Sequence, residues 1–312
     1  MQEKPKERKL LKFILELKLV AAVLELSKKI VLPGFDKLPL YDVAGFFIQG
    51  LQKSSITTRA SSMAFHFFLA LFPAIIFFFT LIPYIPIENF QDQLMELLGS
   101  VLPANVYDAS RETIQDILSD KRGGLLSIGF LSMLYFSTNG INAMIHNFNQ
   151  TFHTLESRNF VKQRLVSIFL LLILSTLLLT SISLIIFGRF LLNWLIGEGW
   201  IQAEWSIYLF ETGKWITVLA LYFFAISFIY YLGPSAKSQW RFISAGGTAA
   251  SLFSIVVSLF FGYFVNNFGQ YNKLYGSLGT IIVLMLFIYF NSIILLIGFE
   301  LNASIRSASH RS

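Results

Sequence analysis

The residues best suited to chemistry are few, and they stand inside long apolar stretches: His66, Asn139, Asn142, Asn291, Glu300 and Asn302. A polar group among lipid tails is costly, so it marks either a hydrogen bond between helices or a route for a polar ligand. His66, set between Phe65 and Phe67, offers a proton relay or a ligand contact. The more common outcome for such a ring is a neutral imidazole bonded to a neighbouring helix. Asn139 and Asn142, with Ser137, Thr138 and Gly140, make a polar patch that His146-Asn147-Phe148-Asn149-Gln150 continues. An interhelical hydrogen-bond cluster is the commoner use of such a patch, and a contact to a polar head group is the other. Asn291 stands within the last stretch and needs a partner on another helix. Glu300 and Asn302 close that stretch, where Arg241 or Arg164 would pair with the carboxylate.

Other chemistries are missing from the chain. It has no cysteine, which removes disulfides, thiolate metal sites and cysteine nucleophiles. Its four histidines, His66, His146, His153 and His310, fall into no metal-ligand motif. Phosphodiester cleavage needs clustered carboxylates and histidines around a hard cation, or acid and base groups facing water, and neither pattern is present. No catalytic residue, metal ion or cofactor is therefore expected.

The elements that hold these residues are six apolar stretches, at about 59–86, 123–145, 165–188, 214–232, 242–265 and 277–299. A helix crosses the hydrocarbon core with ~20 mainly apolar residues. Leu165 to Gly188 and Phe242 to Val265 contain no charged residue. Hydrophobic residues make up 55% of the chain and charged residues 13%, against about 25% charged in soluble proteins. The fold class is all-α, a polytopic membrane protein of six transmembrane helices spanning 59–303. An interfacial N-terminal region covers 1–58 and a short tail 304–312.

Before the first span, Leu10, Ile14, Leu17 and Leu24 recur at helical spacing among Lys12, Glu16 and Lys18, an amphipathic helix that lies in the interface or packs on the bundle. Val43 to Gln52 forms a second short helix. Pro73 predicts a kink within the first span, and Pro83 and Pro86 end it. The loop 87–122 carries two amphipathic stripes, 94–102 and 106–118, that would cap the mouth of the bundle. Gly247 with Ser251, and Ala250 with Ser254, are small residues four apart, suited to close helix packing in lipid. Gly276 and Gly279 allow a tight turn into the sixth span.

The net charge of +6 reads as a topology signal before it suggests a nucleic-acid partner. Eleven Lys/Arg lie up to and including Arg59, whereas the loop 87–122 has three against seven acids. Assigned to alternate compartments, eighteen basic residues fall on one side and six on the other. The excess of positive charge predicts both termini in the cytoplasm. The same charge favours anionic lipid head groups. No basic run interleaved with aromatics points to nucleic acid.

Three blocks of sequence resemble the YihY/BrkB family of bacterial inner-membrane proteins. Ser62-Met-Ala-Phe-His-Phe-Phe-Leu-Ala-Leu-Phe-Pro73 is similar to its first signature, and Asn139-Gly-Ile-Asn-Ala-Met-Ile-His-Asn-Phe-Asn-Gln followed by Arg158-Asn-Phe-Val-Lys-Gln-Arg164 to its second. Tyr275-Gly-Ser-Leu-Gly279 with Ile297-Gly-Phe-Glu-Leu-Asn-Ala303 matches the third. The likeness runs over about residues 45 to 305. His66 stands where the family pattern has a second aromatic or similar residue, so no family role transfers to it. The resemblance implies a six-helix protein of the inner membrane. Some members were named ribonuclease BN and others are linked to serum resistance as virulence factors.

The functional expectation is a transporter or a protein that handles a lipid or lipid-linked envelope precursor, because intramembrane charge is too scarce for an ion-coupled pump. The candidate pathway is His66, Pro73, Asn139, Asn142, Asn291, Glu300 and Asn302. A non-catalytic membrane scaffold for envelope assembly or virulence-related resistance is the alternative, and ribonuclease activity is disfavoured. Membrane lipids are the expected partners, with oligomeric state left open.

Overall fold

The computed structural model describes residues 25–28, 30–31, 34–35, 38–53, 55–84, 122–150, 158–199, 203–235, 242–267 and 277–309, with isolated positions between 95 and 116. A short helix α1 (Leu40–Lys53) precedes α2 (Ile56–Leu81), which passes without a break through Pro73 and ends in a 3-10 turn, Ile82–Tyr84, at Pro83. Then come α3 (Gly123–Asn149), α4 (Phe160–Gly197), α5 (Ala203–Leu232), α6 (Ala245–Asn267) and α7 (Ser277–Ser309). Helices α2 to α7 are the six that are long and apolar enough to cross a membrane, and no strand occurs among the described residues. The expected amphipathic stripes at 10–24 and most of 87–122, together with Gly276, lie outside the described residues.

The spans close into a ring in chain order: each packs on the next, and α7 returns to α2. Lipid tails are as apolar as leucine, so what holds the ring is close packing and hydrogen bonding. An even number of crossings brings Ile56, Asn149, Phe160, Leu232, Ala245 and Ser309 to one side, here called the terminal face.

Burial is concentrated near that face. The core is Ala60 and Met63 of α2, Ile141, Met144, Ile145 and Phe148 of α3, Leu170 of α4, Ile226, Ile229 and Tyr230 of α5, Ala250 of α6, and Leu296 and Phe299 of α7. Every one of the six helices contributes to it from the half nearer the terminal face. At its centre Phe148 and Phe299 stack at 4.5 Å, 9° from parallel, and Tyr230 meets both edge-on at 5.7 and 5.8 Å. The Tyr230 hydroxyl donates to the carbonyl of Leu295 at 2.6 Å, so the one polar atom of this aromatic trio is satisfied.

Towards the far face, contacts within each hairpin, α2–α3, α4–α5 and α6–α7, are present among the described residues. Gly129 of α3 lies against the backbone of Phe77, and Phe77 touches Phe130 at 5.5 Å between ring centroids. Gly188 of α4 admits the ring of Phe210 on α5, and Phe261 of α6 meets Phe287 of α7. Among the described residues, the one core that takes side chains from all six spans lies nearer the terminal face.

The tightest crossing is between α6 and α7. A methyl group on Gly298 would stand 2.6 Å from the Tyr230 hydroxyl and 2.7 Å from the Gly246 carbonyl oxygen. Gly298→Ala is expected to lower stability in detergent by about 1–3 kcal/mol through overpacking. Gly262→Ala, which meets nothing within 4 Å, is expected to leave the unfolding temperature unchanged or slightly raised. Parallel thermal unfolding of the two variants checks this.

Candidate functional site

The polar residues singled out in the sequence gather into clusters near the terminal face. Two adjoining bonds link α3 to α4: Arg164 donates to the Asn139 side-chain oxygen at 2.5 Å, and Gln163 to that of Asn142 at 2.7 Å. The Arg164 guanidinium also lies 5.5 Å from the Tyr135 ring centroid. Each asparagine therefore serves helix packing, and Arg164 is turned away from the role of Glu300 partner expected for it.

Deeper in the same layer is the pair Arg59 and Glu300. Both are buried, Glu300 completely. Arg59 donates to the carbonyl of Asn147 at the end of α3, and its positive charge acts on the Glu300 carboxylate. The cation whose charge reaches Glu300 thus comes from the start of α2. Arg241, the other partner considered, lies outside the described residues. Gly50 of α1 lies directly over the carboxylate, because a methyl group at that position would fall on Glu300. Helix α1 is consequently seated on the bundle through a glycine that leaves room for a charged group.

Asn302 binds the start of α6: its oxygen accepts from the Gly246 amide at 2.8 Å and its nitrogen donates to Ser244 Oγ at 2.9 Å. An amide in the first turn of a helix lacks an intrahelical partner, and Asn302 supplies one from the neighbouring span. Asn149 and Ser235 exchange two bonds, 2.6 and 2.9 Å. Arg158 donates to the carbonyls of Leu232, Gly233 and Pro234, closing the C-terminal end of α5. Burial pushes its guanidinium below the usual arginine value. None of these capping contacts was legible from one stretch of sequence, since each joins residues 50 or more positions apart.

The remaining candidates stand elsewhere. Asn291 donates to the carbonyl of Phe287 on its own helix at 2.9 Å, not to another helix as expected, because an asparagine in a helix reaches the turn before it. His66 is half-buried, with its ring edge-on to Phe65. Gly247 donates its amide to Ser244 Oγ, Ser251 donates to the Gly247 carbonyl, and Ser254 is buried. The closest approach between backbones falls one residue earlier, on Gly246 against Gly298. Gly279 is buried in the first turn of α7.

Nearer the far face, the buried Lys214 donates to Glu211 one turn earlier on α5 at 2.5 Å. Among the described residues no group of three or more His, Asp or Glu could hold a metal ion.

Two cavities flank α1. One of about 650 Å³ lies between α1 and the segment at Ser27, lined by residues including Tyr41, Phe46 and Gln49. The other, about 440 Å³, lies between α6, α7 and Phe47, and no lining side chain there carries a polar atom.

Comparison with known proteins places the chain among membrane proteins. Residues 47–312 match the family described as virulence factor BrkB. The chain belongs to that family. The ribonuclease-like protein YfkH of Bacillus subtilis is 30% identical over 246 residues, covering 79% of this chain and 88% of its own. A UPF0761 membrane protein of Alteromonas mediterranea is 25% identical over 86% of this chain and 89% of its own length. One of Tolumonas auensis is 27% identical over 57% of each. No solved structure matches. As a member of the BrkB family the protein is a multi-pass membrane protein, and the family match begins at Phe47, within α1.

Arg59 and Glu300 are buried opposite charges, and removing one leaves the other uncompensated in an apolar setting, at a cost of about 3–5 kcal/mol. Arg59→Met and Glu300→Leu are each expected to lose stability on that scale, and the double variant to recover a large part of it. Gly50→Ala is expected to loosen α1 alone, read as faster proteolysis within 40–53 while the bundle still unfolds at the parent temperature.

Proposed function

We propose that the protein handles a lipid or lipid-linked amphiphile, taking it between hairpins from the outer leaflet of the bacterial inner membrane, with both termini in the cytoplasm. The observation that carries this reading is the uneven packing of the ring. Six helices are locked together near the terminal face by an aromatic core and a bonded polar layer. Nearer the far face no core cluster joins all six helices among the described residues, and on this reading the three hairpins part there.

A molecule with an apolar chain can enter between hairpins from the side, without crossing a charged barrier. The buried Lys214–Glu211 pair lies towards the far face and offers charge to a head group at that depth. A soluble ion or sugar would need a continuous polar lining. The half-buried His66 and Asn291, near the middle of their spans, are the polar groups such an amphiphile would meet as it reaches the packed core.

Purified protein in liposomes is expected to move a fluorescent phospholipid or a labelled lipid-linked sugar between leaflets, and Lys214→Leu to slow this severalfold. Absence of movement, with stable partner proteins recovered by crosslinking in membranes, would favour a scaffold instead. A reporter fused after Ser312 is expected to be active in the cytoplasm, and an external signal would overturn the orientation. The name of the Bacillus relative suggests RNA as a substrate. Clean preparations are expected to leave labelled RNA uncut with and without Mg²⁺.

A further inference from the structure

We propose that the 440 Å³ groove between α6 and α7 holds an acyl chain of a phospholipid from the leaflet at the terminal face. The groove is lined by Ala249, Phe253 and Val257 on one wall and Ile294, Ile297 and Leu301 on the other, with Gly298 and Ala250 at its base and Phe47 of α1 across its end. Its volume is that of a small-ligand site, within roughly 300–1,000 Å³. No lining side chain offers a hydrogen bond, so the occupant makes only apolar contact.

Depth identifies the occupant. Ala249 lies four residues into α6 and Val257 twelve, or about 6 and 18 Å from the helix end at ~1.5 Å per residue. The hydrocarbon core is ~30 Å thick, so the groove extends over about one leaflet and stops. A helix from a second copy would need an open seam along most of the span, and Phe47 closes this one at the terminal face. An acyl chain needs one leaflet of depth and an end at the interface, which is where α1 lies.

The groove exists because Gly246 and Gly298 let α6 and α7 cross at backbone contact. Beyond the crossing, the small side chains of Ala249 and Ala250 leave space that Phe253, Val257, Ile294 and Ile297 line. Helix α1 is held over the opening independently, by Gly50 on Glu300 and by Val43 in a small core with Phe35, Leu38, Ile305 and Ala308. A chain in the groove would therefore be gripped between two spans and an interfacial helix, unlike the lipid that merely coats Leu259 or Phe260, both widely exposed. Its role as a holding place for lipid rests on the lipid-handling reading above; the binding itself does not.

The test uses the full chain in nanodiscs containing phosphatidylglycerol with a photoactivatable diazirine in its acyl chain. After irradiation, the label is mapped by mass spectrometry. It is expected to concentrate on 249–257 and 294–301 and to exceed that on 259–260. Ala249→Phe fills the groove and is expected to cut labelling there severalfold, because the ring takes the space of the chain and its packing contacts. Val256→Phe, on an exposed face of the same helix, is expected to leave it unchanged. Val257→Phe repeats the block at the deep end should Ala249→Phe not fold.

Label spread evenly over all exposed faces, or unaffected by both groove variants, would overturn the proposal. So would a disulfide between two copies of Val257→Cys in this cysteine-free chain, since a second copy would then occupy the seam. Groove labelling without lipid movement in liposomes would keep the site and remove the transport reading. Movement without groove labelling would do the reverse.

Discussion

Hydrocarbon offers no hydrogen bond to a polar group, and several helix ends near the terminal face answer to that constraint. The carbonyls that close α5 are taken by Arg158, the opening amide of α6 by Asn302, and the final turn of α3 by Arg59. Each of these groups comes from a different helix or a loop, so satisfying the backbone also ties the ring together. The aromatic trio of Phe148, Tyr230 and Phe299 fills the space the polar bonds enclose. Polar bonding and apolar packing thus meet in one layer near the terminal face.

Small residues set where the helices come together: Gly129 and Gly140 between α2 and α3, Gly188 between α4 and α5, Gly246 and Gly298 between α6 and α7. Helix α1 belongs to the packed layer as well, since Gly50 is shaped around the Glu300 carboxylate. The helix thereby joins the interface to the deepest charge in the bundle.

The six spans, the helix before them and the ending of the first span at Pro83 were legible in the sequence, because length, hydropathy and proline act locally. The observed helices extend past the expected apolar limits, α4 to Gly197 and α7 to Ser309, since a helix continues beyond the hydrocarbon where hydropathy falls. The polar patch around Asn139 and Asn142 was recognised as a site of interhelical bonding, and its partners, Arg164 and Gln163, were not. Sequence spacing points to Arg164 or Arg241 as the partner of Glu300, yet the charge that acts on it is Arg59 of α2. Partner choice depends on how helices rotate about their axes, and spacing within one span does not report it. The Gly246–Gly298 crossing escaped for the same reason: Gly247 and Ser251 fit the four-residue rule, whereas the contact needed a glycine on each of two helices.

The central claim is that three hairpins are fixed together at the terminal face and apart at the other. Because the chain has no cysteine, pairs of spin labels can be placed without altering a native thiol, and distances measured by double electron–electron resonance in nanodiscs. Labels near Gln150 and Gly233 are predicted to give a short, narrow distribution, and labels near Tyr84, Glu198 and Ser277 long, broad ones. Short, narrow distributions at both ends would contradict the account.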